Sequence, residues 1–307
     1  MAFPPVPFQE WFLRQTSTGN AALNAYVARV KADGGVVEAI GCVPLAVWDW
    51  TDSFSPTNPV PPAYSAELTA WINKLNTEGF TLPSASNLTL MDAFITALKS
   101  AGAWTSLDVI QMWAQDSNSV NAGRVNLKSP SDTLATIYNA VTFTNKVGIA
   151  GDGVSAYVDT GFNPSTYGGN YVSGSNFNAV WVSAAASGVT AVMGEASSAS
   201  IRVYNEDTSN HRVHCTISGA INLSGTGWIA ANKSSTTAGT LFKDTTANAF
   251  SGGVSLSIPN ENRVLFRTIG TYNDSGIAIY MAGANMTAIN TAIRTAVSNY
   301  ITGVAAL

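Results

Sequence analysis

The run FTNKVGIAGDGVSAYVDTGFNP, from Phe143 to Pro164, decides the fold. Two strand-length segments, Phe143–Ile149 and Ser155–Thr160, flank the turn residues Gly151-Asp152-Gly153. Glycine reaches backbone conformations that other residues avoid, and aspartate bonds its own following backbone. Tyr157, Asp159 and Phe162 are spaced along this extended run. Asn163-Pro164 stops the strand, because proline donates no ladder bond.

The same pattern continues downstream. Strand-length runs recur at Phe177–Ser183, Val189–Met193, Ile201–Tyr204, Arg212–Ile217, Gly227–Asn232, Thr240–Lys243, Val254–Ser257, Arg263–Thr268 and Gly276–Met281. Turn chemistry separates them, as at Tyr167-Gly168-Gly169-Asn170 and Tyr272-Asn273-Asp274-Ser275. Short strands at this spacing predict a β-sandwich of jelly-roll type over residues 136–307. At its end, Ile289, Ala292, Ile293, Ala296, Val297, Tyr300, Ile301 and Val304 recur near every 3.6 residues. They predict an amphipathic closing helix over 286–304, with Asn285 or Thr287 as its cap.

Upstream of residue 140 the period is helical. Leu23, Tyr26, Val27 and Val30 mark a helix from Asn20 to Asp33, ended by Gly34-Gly35. Leu68, Trp71, Ile72 and Leu75 mark one over Ser65–Asn76; Met91, Phe94, Ile95 and Leu98 mark one over Leu88–Ser100. A fourth is expected from the Thr105/Ser106 cap, carrying Leu107, Ile110, Met112 and Trp113. Leu23–Lys31 and Met91–Lys99 align as a weak repeat, which either a duplicated unit or two ordinary amphipathic helices would produce. Residues 1–19 read as an extended apolar arm, with Pro4, Pro5 and Pro7 among Phe3, Phe8, Trp11 and Phe12. Residues 46–63 read as a linker. The fold class is therefore α+β: arm 1–19, helical attachment or packing domain 20–135, and sandwich 136–307.

Charged residues make up only 11% of the 307, against about 25% in a typical soluble domain. The surface is then built from Ser, Thr, Asn, Gly and Ala, which fits a particle-bound protein covered by neighbouring subunits. A formal charge of −4 offers no positive field for nucleic acid. The N-terminus lacks the basic and apolar regions of a signal peptide, and no run is long enough to insert in a membrane. Cys42 and Cys215 are expected as buried free thiols, although a disulfide between them is also open.

Little chemistry converges in the sequence. Glu195, Glu206 and Asp207 are the only acids between Asp159 and Asp244, and the E-x-D-x-x-E of jelly-roll glucanases does not occur. His211 and His214 would face opposite sides of a strand, away from a common metal. The chain is thus expected to be no enzyme, with no catalytic, cofactor-binding or metal residues. Calcium is the one open cofactor: Asp152, Asp159, Asn273 and Asp274 are oxygen donors near turns, and ordinary Asx turns explain them equally well. Tyr167, Tyr171, Trp181, Tyr204, Trp228 and Tyr272 are available to build a sugar platform, and a buried core would use the same residues.

Thr142-Phe143-Thr144, Gly151-Asp152-Gly153 and Ser155–Pro164 together resemble a pattern common in tailed-bacteriophage virion structural proteins, where a concanavalin-A-like (laminin-G-like) sandwich follows a small helical region. Ala32–Ala39 and Phe94–Trp104, continuing to Leu107-Asp108, are similar to the preceding parts of such proteins. The resemblance implies a non-enzymatic structural component of a virion, in a tail, fibre, baseplate or capsid decoration. It would be assembled in the host cytoplasm and partnered by other virion proteins and copies of itself. Its second implication is a carbohydrate-binding module that meets a host-surface glycan in adsorption; a polysaccharide depolymerase is the third.

Overall fold

The computed structural model describes residues 64–187, 191–195, 201–204, 212–213, 223–251, 257–258 and 260–307. The arm, the first helix, the linker, both cysteines, both histidines and most of the Val254–Ser257 run lie outside these residues.

Helix α1, Ala66–Glu78, starts where the Ser65 hydroxyl accepts the Leu68 N–H and ends at Gly79, a left-handed cap with φ 69°. It buries Leu68, Trp71 and Leu75, the face that the sequence marks. Helix α2, Ala85–Ser100, is capped by Ser84 and buries Leu88, Met91, Phe94, Ile95 and Leu98. Helix α3, Asn290–Ala305, buries Ile293, Ala296, Val297, Tyr300 and Val304. The Asn285 side chain accepts both the N–H and the hydroxyl of Thr287 just before it.

The strands are β1 Leu107–Met112, β2 Thr136–Tyr138, β3 Thr142–Thr144, β4 Gly148–Ala150, β5 Tyr157–Asp159, β6 Asn176–Ala184, β7 Ala191–Glu195, β8 Ile201–Tyr204, β9 Arg212–Val213, β10 Gly227–Lys233, β11 Gly239–Lys243, β12 Thr246–Phe250, β13 Arg263–Leu265, β14 Arg267–Thr268, β15 Thr271–Tyr272 and β16 Gly276–Gly283. One sheet runs β12-β11-β10-β6-β16-β4-β3, with β1 also on β16. The other runs β2-β5-β13-β7-β8-β9, and β14-β15 is a separate hairpin. The pairings are antiparallel, as a sandwich requires.

Two cores lie on either side of the first sheet. Phe177, Ala179, Trp228, Ala230, Ile279 and Met281 pack with the helices. Their strand neighbours Val180, Val182, Ile229, Ala231, Tyr280 and Ala282 face the second sheet. The central strands of this sheet are buried on both faces, so β10 and β16 read as continuous buried runs rather than alternating ones. The fold is α+β: a helical region, an antiparallel sandwich and a C-terminal helix.

Four features differ from the sequence expectation. Leu107–Met112 is strand β1 and not a fourth helix; its register partner is β16. Ile110 and Met112 face one core and Val109 and Trp113 the other, and burial on both sides erases the alternation that marks a strand. The boundary placed at 135/136 falls inside one compact unit, Tyr64–Leu307, because β1 belongs to the sandwich. Phe143–Ile149 is a hairpin, with Lys146 at φ 65° in its turn. Arg263–Thr268 breaks in two at Phe266, whose φ is 66°.

Candidate functional site

The outer side of the second sheet carries an aromatic stack. Register places Tyr138 of β2 directly opposite Tyr157 of β5. Their rings lie 4.5 Å apart, 6° from parallel. The Arg267 guanidinium sits over the Tyr157 ring at 4.7 Å, and Tyr272 closes on both, 6.4 Å from Tyr157 and 5.7 Å from Arg267. Rings in this geometry attract through their quadrupoles, and a cation over a ring face adds to that. Burial pushes the Tyr157 phenol up, against the lowering effect of Arg267. Tyr138 remains 41% exposed at the end of the stack.

A fixed loop adjoins it. The Asp152 carboxylate accepts the backbone N–H of Val154, Ser155 and Ala156 at 2.7–2.8 Å, and the Ser155 hydroxyl at 3.0 Å. These bonds hold its carboxyl far below the usual range. The Asn139 amide donates to the Ser155 carbonyl at 2.9 Å, which ties this loop to the residue after Tyr138. Val154, at the loop tip, is 74% exposed.

Between the sheets lies a polar layer. Arg263 and Glu195 are cross-strand partners of β13 and β7, paired and buried. The guanidinium lies 5.2 Å over the ring of Tyr171, whose hydroxyl accepts from Asn178 at 2.8 Å. Burial pushes the Tyr171 phenol up to about 12. Gln111 Oε1, Asn178 Oδ1 and Tyr280 OH line the same inner face and find no hydrogen-bond partner among the described residues. Glu195 has no exposed surface and is neutralised by Arg263, so the layer binds the sheets together instead of presenting a carboxylate.

At the rim, Asp108 accepts the N–H of Tyr171 at 2.8 Å and the amide of Asn170 at 2.9 Å. Burial raises its pKa, and these bonds oppose the rise. Lys128 stands 4.8 Å over the Trp104 ring. A shallow hollow of about 280 Å³ opens beside it, between Lys99 and Thr105.

The candidate donors for calcium do not share one task. Asp152 serves its own loop, and Asp159 accepts Gly161 N–H and the Asn262 amide. Asn273 accepts the Ser275 N–H and hydroxyl, and Asp274 those of Ser187. Among the described residues no group of three or more His, Cys, Asp or Glu is placed to hold a metal ion. Of the platform candidates, Tyr171 and Trp228 are core, Trp181 packs against the helix-side core, and the Tyr204 side chain lies outside the description. Tyr167 is 47% exposed. Tyr272 belongs to the stack, whose other members, Tyr138 and Tyr157, were not among the candidates. The alternation of Tyr157 and Asp159 about Val158 was the available signal.

The fold and site define an α+β chain with an antiparallel β-sandwich. No family model and no curated protein matches the sequence. Among solved structures, domain 4 of AbnA, a GH43 extracellular arabinanase from Geobacillus stearothermophilus, is 11% identical with a TM-score of 0.38, over 62% of this chain and 98% of that one. A mutant Trypanosoma rangeli sialidase displaying trans-sialidase activity is 11% identical with a TM-score of 0.40. That match covers 70% of this chain and 39% of the sialidase, so the chain spans about two fifths of it. Against these matches, to a domain of an arabinanase and to a sialidase, the expectation that the chain is no enzyme is withdrawn.

Proposed function

We propose that the chain is a structural component of a bacteriophage virion, in a tail, fibre, baseplate or capsid decoration, that displays its sandwich outward. The observation that carries this reading is the Thr142–Pro164 segment. Its residues resemble those of virion sandwich proteins, and it forms β3, β4, the Asp152 loop and β5. Two further features support it. Helices α1–α3 cover one face of the sandwich, while the opposite face carries the tyrosine stack in solvent. The low charge of 11% suits a surface that meets other subunits, its partners being further virion proteins and copies of itself.

The test is labelling of purified particles with antibodies to the chain, together with its oligomeric state at high concentration. Labelled particles and a defined oligomer are expected. A monomer at high concentration, with particles that never label, overturns the reading. A second reading, host-glycan recognition in adsorption, is favoured by the exposed tyrosine stack.

A further inference from the structure

We propose that the open face of Tyr138 is a saccharide-binding subsite, where a sugar ring continues the Arg267–Tyr157–Tyr138 stack and hydrogen-bonds at its edges to the polar rim. Three observations carry it.

The first is the stack itself. One face of Tyr138 is fixed against Tyr157, and Tyr157 is fixed in turn against Arg267. The outermost ring is thereby held in one orientation although 41% of the residue is in solvent. Binding to a ring already held still costs little ordering entropy. The negative ring face favours the weakly positive C–H groups on the face of a pyranose.

The second is the rim. Thr136 shares the side of β2 that carries Tyr138 and is exposed. Asp159, opposite Thr136, shares the side of β5 that carries Tyr157, and Asn139 and Ser155 meet at the other end of the tyrosine pair. These are hydroxyl, amide and carboxylate groups of the kind that fix a polar ligand over an apolar floor.

The third is size. A tyrosine has roughly 150–250 Å² to bury, so the exposed part of Tyr138 is on the order of 80 Å². That area matches one face of a single sugar unit laid over an apolar floor. The neighbouring Asp152 loop, tied to Asn139 through Ser155, is held by three backbone bonds and need not fold on binding.

The experiment uses the full chain, with maltoheptaose, cellohexaose, chitotetraose and digalacturonate as soluble probes, read by saturation-transfer NMR and titration. At least one probe is expected to bind. Tyr138→Ala should weaken it at least about tenfold; Tyr138→Phe, which keeps the ring, should bind nearly as well as the parent. Tyr167→Ala, at an exposed tyrosine outside the stack, should leave binding unchanged. Silence across the four probes overturns the proposal, as does a folded Tyr138→Ala protein that binds like the parent. Binding is measured on the isolated chain, so its failure is distinguishable from a failure of particle labelling.

Discussion

Replacing Tyr300 with phenylalanine tests how the helices are fastened to the sandwich. The Tyr300 hydroxyl lies 2.7 Å from the Ala114 carbonyl, just after β1, and 3.2 Å from the side-chain oxygen of Asn87 on α2. A phenol has one proton, and the shorter bond takes it. The Asn87 amide then serves better turned over, so that its nitrogen, otherwise without a partner among the described residues, donates to the phenol oxygen. Tyr300 and Asn87 are 2% and 0% exposed, so no water replaces a lost partner. Removing the hydroxyl strands a carbonyl and an amide, at a cost of about 1–3 kcal/mol. In a unit the size of Tyr64–Leu307, where 1 kcal/mol moves Tm by about 2–4 °C, this lowers Tm by roughly 2–12 °C. Thermal and urea melts give the value, the urea slope being unchanged if only stability moves. In the Tyr300→Phe background, Asn87→Leu should recover part of the loss, since it removes the stranded amide. A Tyr300→Phe protein within about 0.5 kcal/mol of the parent refutes the reasoning. So does an Asn87→Leu effect that is the same in both backgrounds, because residues in contact should couple.

Stability should fall in alkali. Burial raises the Tyr171 phenol to about 12 and moves Tyr280 and Tyr300 upward too. An unfolded tyrosine loses its proton near pH 10, so above that pH the folded state holds more protons. The stability is full below about pH 10 and is lost as pH rises through the folded values. A urea midpoint that stays flat to pH 11 would count against this. Asp152→Ala should raise amide exchange at Val154, Ser155 and Ala156 by at least about tenfold while leaving β5 protected, since one carboxylate holds all three; exchange rates read by mass spectrometry decide it. With Asp152 held below its ordinary pKa, that protection persists above about pH 4 and weakens as pH falls through the depressed value. Gly148→Ala should not give a stable fold, because Gly148 has φ 125° and an added methyl carbon would lie 2.2 Å from the Ile277 carbonyl; recovery of soluble, cooperatively melting protein would refute that.

The helices were legible because each buries one face and leaves the other wet. Leu68, Trp71 and Leu75, or Met91, Phe94, Ile95 and Leu98, keep the 3.6 period for that reason. β1 was hidden for the opposite reason: with a core on each side, Leu107–Met112 shows no period at all. Hairpin points such as Lys146 and Phe266 carry positive φ without glycine or asparagine to announce it. The short strand β2 offers three residues and no strong pattern, so Tyr138 could not be placed beside Tyr157 until register was known. The Arg263–Glu195 pair, 68 positions apart, is a register relation of the same kind.

The position of β16 bears on how the chain acquires its structure. This late strand lies against β6 on one side and against β4 and β1 on the other, so residues near 107 and near 180 share a sheet only once residues 276–283 are present. A nascent chain halted before that point leaves β6 as a bare edge, with Phe177 and Trp181 on one side and Val180 and Val182 on the other. Such an edge templates pairing with another chain. Pairings this distant also make folding slow and exposed to aggregation. The sheet centre is therefore completed late, and a premature stop within β16 is expected to send the protein to the insoluble fraction on expression.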